Sequence, residues 1–142
     1  VISRTLLIAA RPFGGRLGAG RVASAIADGL HDCGWETDPL PLEDGAESAA
    51  IALVRSPAFD ARMRAARAVV IAEPRLDERT LAGTVAFEIA TRARQGGVPA
   101  YAVTGENDLD SFDARILDLQ TILVARTHRS LVEAGRELAA VV

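Results

Sequence analysis

VVIAEPRLDERTLAGT, residues Val69 to Thr84, decides the fold. Its four leading apolar residues, Val69, Val70, Ile71 and Ala72, read as a strand buried on both faces, as in a parallel sheet covered by helices. The run then turns abruptly polar, placing Glu73, Arg75, Asp77, Glu78 and Arg79 around Pro74. Open α/β sheets hold their ligands outside the carboxyl ends of their strands, so any chemistry is expected at this turn.

Strand and helix periods alternate outward from it. Towards the N-terminus, Thr5 to Ala10 reads as a buried first strand, Phe13 to Gly20 as a glycine-rich loop, and Val22, Ile26 and Leu30 as the inner stripe of a helix that stops at Gly34. Glu36 to Leu40 is a strand weakened by Pro39 and Pro41, and so expected near an edge. Asp44-Gly45 marks a turn, Ala46 to Arg55 a short helix ended by Ser56-Pro57, and Phe59 to Arg67 one or two helical turns. Towards the C-terminus, Thr80 or a neighbour is expected to cap a helix reaching Gln95, with Gly96-Gly97 ending it. Pro99 to Val103 is a strand, Thr104 to Asp113 an acidic loop, Ser111 to Leu117 a helical turn and Thr121 to Ala125 a last strand. Thr127 caps a final helix with Leu131, Ala134 and Leu138 on one face. About five strands alternating with five helices predict a three-layer αβα fold around a mostly parallel, doubly wound sheet.

Composition narrows the functions. The 142 residues are 49% hydrophobic but 4% aromatic, which predicts one domain with an aliphatic core, and no run has transmembrane length. A net charge of -3 argues against nucleic acid, whose phosphates need a basic face. All sixteen basic residues are arginine, so no lysine can form a Schiff base or follow a transferring phosphate. A single cysteine, Cys33, allows no intramolecular disulfide, and with no signal-peptide pattern a cytoplasmic setting is expected.

Several motifs, in order along most of the chain, resemble the bacterial glycerate kinase family. RLDERTLAG (Arg75 to Gly83), preceded by FDARMRAAR (Phe59 to Arg67), is similar to that family's FDxRLxxADLVITGEGRLDxQTLxGK. GVPAYAVTG (Gly97 to Gly105) resembles GVPVIALAG, the N-terminal LIAARPFGGRLGAGRVASAIADGL resembles IAPDSFKGSLSAxEVAxAIAxGL, and PLEDGAES (Pro41 to Ser48) resembles PLADGGEGT. The resemblance implies a Rossmann-like domain and ATP- and Mg2+-dependent phosphorylation of a small hydroxy acid. It places Asp77 and Asp44 as catalytic candidates, with Glu47, Glu73 and Arg75 around the substrate; Arg11 and Arg16, in the glycine-rich first loop, are candidates for holding a small anion. It also implies that a second domain, inserted in the family between the two parts of this one, is missing here across Ile51 to Ala58.

The chain departs from the family pattern where phosphoryl transfer is most sensitive. In the first loop the family's Asp, Ser and Lys are Arg11, Pro12 and Gly14. In the central motif TGEGRLD is IAEPRLD, and the Lys after Gly83 is Thr84. Pro74 removes an amide donor and fixes φ where glycine would allow close approach. Loss of one oriented donor commonly costs ~10²- to 10³-fold in rate, and several losses compound. The expectation is a domain that has lost kinase activity and serves as a small-anion binder or as a self-associating or regulatory protein-interaction module. The alternatives are a kinase active alone or one completed by a partner chain.

Other features read more simply. Gly15 to Arg21 has the GxxxxG spacing of a phosphate loop but lacks the following Lys-Ser/Thr, so a flexible turn before a helix is expected. His31 and His128 lack partners at metal-ligand spacing. Asp108, Asp110 and Asp113 could gather a cation, though a solvated acidic loop is the ordinary reading, and Arg75, Asp77 and Arg79 can equally form a surface ion-pair network that only holds the turn.

Overall fold

The computed structural model of the protein describes residues 3–43 and 47–142. Five strands, β1 (Thr5–Ala10), β2 (Glu36–Pro41), β3 (Ala68–Glu73), β4 (Ala100–Thr104) and β5 (Leu119–Val124), form one parallel sheet in the order β2-β1-β3-β4-β5. This is the flavodoxin-like doubly wound order, with the reversal of winding between β1 and β3. The quoted stretch supplies the central strand, and Val69, Val70 and Ala72 are fully buried because both sheet faces are covered.

Among the described residues six α-helices do the covering: α1 (Ala19–Asp32), α2 (Glu47–Val54), α3 (Pro57–Ala65), α4 (Val85–Gly96), α5 (Ser111–Leu117) and α6 (His128–Val141). One core joins Leu6, Ile8 and Val70 to Ile26 and Leu30 of α1 and Leu131 and Leu138 of α6. The other joins Leu7, Val69 and Ile71 to Val54, Phe59, Met63, Ile89 and Leu117 of α2 to α5. Each fully buried Leu or Ile contributes about 1.5–3 kcal/mol. α1 and α6 touch backbone to backbone at Gly29 and Gly135, where added Cβ atoms would lie 2.0 Å from the Val132 oxygen and 2.2 Å from the Ile26 oxygen.

The α/β fold, the buried central strand and the edge position of β2 agree with the sequence reading. Thr127 caps α6 as expected, accepting from the Ser130 amide. The helix after β3 starts later than expected. Asp77 and Thr80 form a capping box on a 3₁₀ turn, Glu78–Leu81; Gly83 then reverses the chain at φ +83°, and Thr84 caps α4. Thr80 is the third residue of the short turn, and α4 starts at Val85. Because the sheet is parallel, the loops after all five strands gather at one edge.

Candidate functional site

At that edge the sequence-predicted residues fall into three groups. The first is built on β1, α2 and β3. Arg11 directly follows β1, and its amide donates to the Ala72 carbonyl of β3 at 2.9 Å, fixing where its side chain starts. Its guanidinium donates to Glu47 Oε2 at 3.3 Å and to the Leu42 carbonyl at 3.4 Å. The other carboxylate oxygen of Glu47 accepts from the Val85 amide at 2.7 Å, the first residue of α4. Helix-start amides lack intrahelical acceptors and favour negative charge, so Glu47 acts as an anion supplied from within the chain. Glu73 ends β3 beside this pair. Burial pushes its carboxyl up to about 7; the Arg11 charge works against that shift and the Glu47 charge adds to it.

The second group centres on Arg75. Its guanidinium reaches Asp77 Oδ2 at 3.1 Å, Glu106 at 3.5 Å and Asp108 at 2.8 Å. Asp77 Oδ1 meanwhile accepts from the Arg79 amide at 2.9 Å, so both carboxylate oxygens are engaged in holding the turn. The expected pairing of Arg75 with Asp77 is present, whereas the Arg79 side chain makes no ion pair among the described residues. A cavity of about 400 Å³ opens here, lined by Arg75 and Arg79 against Asp77, Glu78, Asp108, Asp110 and Asp113. Its balance is acidic, which disfavours a triphosphate. Of the acids in the following loop, Asp108 belongs to the Arg75 cluster and Asp110 caps α5 by accepting from the Asp113 amide at 2.7 Å.

The third group is the glycine-rich loop. Arg16 lines an open depression of about 590 Å³ at the start of α1, together with Gly18, Gly20 and Glu43. The Gly20 amide already donates to Glu43 Oε1 at 3.2 Å, so here too a carboxylate from the β2–α2 connection sits on a helix start. Asp44 lies outside the described residues. Glu43 and Glu106 were not singled out as site residues by the sequence, because contacts between loops leave no periodicity to read. One signal was available: Glu43 lies four residues before Glu47, which the family motif marks.

His31 hydrogen-bonds Thr37 at 2.9 Å. Trp35 is partly buried under the Arg4 guanidinium, 4.8 Å from its ring centre. Among the described residues no three His, Cys, Asp or Glu side chains converge as metal ligands, and no helix is long and apolar enough to cross a membrane. Two arginines held by carboxylates, and two helix starts facing carboxylates, do not fit ATP with its Mg2+ as the groups stand.

The model of the glycerate kinase family matches residues 47–140, about two thirds of the chain. The chain belongs to the glycerate kinase family. The match contains Glu47, Glu73, Arg75 and Asp77. No curated protein matches the chain. Among solved structures it is similar to an oxidoreductase from Corynebacterium diphtheriae, at 9% identity and a TM-score of 0.54, over 99% of this chain and 97% of that one. A diflavin flavoprotein A3 from Nostoc sp. is similar at 17% identity and a TM-score of 0.47, over 97% and 92% of the two chains. At such identities the first likeness speaks for the fold alone. The family's central motif therefore sits at the carboxyl end of the central strand of a flavodoxin-like sheet, with Arg75 and Asp77 paired inside the chain.

Proposed function

We propose that this member of the glycerate kinase family is non-catalytic and serves as a protein-interaction or regulatory module. The observation that carries the reading is internal neutralisation. Glu47 is shared between Arg11 and the start of α4, Asp77 between Arg75 and the Arg79 amide, and Arg75 among three carboxylates. Phosphoryl transfer works by preorganised cations and amides aimed at the transferring group, and groups satisfied within the chain must first be released. The same pairing argues against the small-anion alternative at Arg11, Arg75 and the starts of α1 and α4, where the guanidinia and amides already face carboxylates.

A coupled assay with ATP, Mg2+ and glycerate tests it. The expected result is no turnover above background and no thermal shift with nucleotide, where a ligand at 100 times its dissociation constant would stabilise by about 2.7 kcal/mol. Turnover that disappears in Asp77→Ala overturns the proposal.

A second reading is a phosphotransferase acting on a small hydroxy acid, with a partner chain completing the cleft. Glu73 favours it. A largely buried carboxyl titrating near 7 beside a guanidinium is suited to accepting a proton from a hydroxyl at neutral pH. This reading predicts kcat/KM rising with pH through about 7 in the complex, with that dependence gone in Glu73→Gln.

A further inference from the structure

The two edges of the sheet differ sharply. β2 is blunted by Pro39 and Pro41, and Arg62 clasps Asp38 at 2.7 Å while donating to the Pro39 carbonyl at 3.2 Å. β5, Leu-Gln-Thr-Ile-Leu-Val, has neither charge nor proline. It pairs only with β4, and among the described residues no hydrogen bond outside that ladder reaches the Leu119–Val124 backbone. Among the described residues, three of the five exposed large apolar side chains belong to this edge: Val124 on β5, 50% exposed, and Phe112 and Ile116 on α5, 69% and 37% exposed. Val124 pairs with Thr104 and Ile122 with Ala102, on the sheet face that carries α5.

We propose that β5 is a homodimer interface, pairing antiparallel with β5 of a second copy so that the two sheets become one. The edge dictates a strand as occupant, because only an extended backbone matches its unpaired amides and carbonyls. Charge selects the second copy and its direction. β5 is bracketed by Asp118 and Arg126, both exposed and neither in an ion pair among the described residues. Ile122 lies midway between them, so antiparallel pairing about Ile122 sets Asp118 of each copy against Arg126 of the other. A parallel partner would oppose like charges. The two-fold axis then stands perpendicular to the sheet, which keeps α5 of both copies on one face. Phe112 and Ile116 of α5 then lie on the same face of the joined sheet as Val124 in both copies, which gathers the exposed apolar residues of this edge on one side. A register shift against β4 places a one-residue bulge in β5 between Leu119 and Ile122, so Asp118 falls beside the Ala125–Arg126 step of the other copy, within reach of the Arg126 guanidinium. This interface and the catalytic reading are separable, since an active enzyme and an inactive module can each dimerise by this edge.

Size-exclusion light scattering over a wide concentration range, with charge-reversal variants, tests the arrangement. The expected result is a dimer that Asp118→Arg or Arg126→Asp alone weakens roughly tenfold or more and that the double reversal restores. Val124→Lys should give monomers that still melt in a single cooperative transition, at a temperature that no longer depends on protein concentration. Amide exchange read on the unsubstituted protein supplies a measurement independent of any variant, with Leu119 to Val124 losing protection on dilution. A strict monomer, protection independent of concentration, a dimer indifferent to Val124→Lys, or a double reversal that fails to restore association would each overturn it.

Discussion

Glu73 carries the family motif's first carboxylate, and its environment ties stability to pH. The carboxyl is pushed up to about 7 from an ordinary 4.5, mainly because burial penalises the charged form. Between those values the folded protein binds more protons than the unfolded chain, so this group's stabilising contribution is complete below 4.5 and is lost as pH rises through 7. The loss is on the order of 3 kcal/mol by pH 8. Glu73→Gln should therefore flatten the stability profile between pH 5 and 8 and melt higher than the parent at pH 8, in denaturant titrations across that range. An unchanged slope would show that Arg11 compensates the charge fully. Asp77 makes the opposite case: Asp77→Ala removes the cap of the 3₁₀ turn and leaves Arg75 with two carboxylates. It should cost about 1 kcal/mol, read as a lower denaturation midpoint with unchanged slope.

Among the elements, the α1–α6 contact gives the sharpest expectation because propensity and packing disagree in sign. Alanine is a better helix former than glycine by about 1 kcal/mol. At Gly29, however, a Cβ would sit 2.0 Å from a backbone oxygen, and overpacking costs about 1–3 kcal/mol or more where backbone must move. Gly29→Ala should lower Tm by several degrees, whereas Gly96→Ala, with its nearest neighbour at 3.9 Å, should hold or raise it. Neither glycine of that contact stood out in the sequence, since a helical glycine looks alike whether or not another helix lies against it. β1 and β3 were legible because a strand buried on both faces reads as an unbroken apolar run. The start of α4 was not, because RTLAGT offers two threonines and only Gly83 at positive φ decides that Thr84 is the cap. The site was legible as a place and not as an arrangement: the position after β3 follows from the fold, while Glu47 bridging Arg11 and Val85 spans 36 and 38 residues of chain.

For the whole molecule, the joint between α2 and α3 tests whether this domain is self-sufficient where the family resemblance implies that another was inserted. Arg55 and Ser56 alone link the two helices. Around them the chain is sealed: Arg55 holds Glu88 at 2.8 Å, Arg92 reaches Asp60 at 3.1 Å and Glu88 at 3.4 Å, and Ser56 caps α3 through the Phe59 amide. The hydrogen bond from Arg55 holds the Glu88 carboxyl below the usual carboxylate range. These ties are exposed or half-buried, and Val54, Phe59 and Met63, buried beneath them, anchor the helices independently. A flexible insertion of about ten Gly and Ser residues between Arg55 and Ser56 keeps the α3 cap and those anchors. Lengthening a two-residue link to twelve adds about 1–2 kcal/mol of closure entropy. Denaturant unfolding of that variant should stay a single transition with a modestly lower midpoint, while the same insertion between Ile71 and Ala72, in the central strand, should abolish folding. Loss of cooperative unfolding from the Arg55 insertion would mean that the joint, and not the two cores, holds α2 and α3 in place.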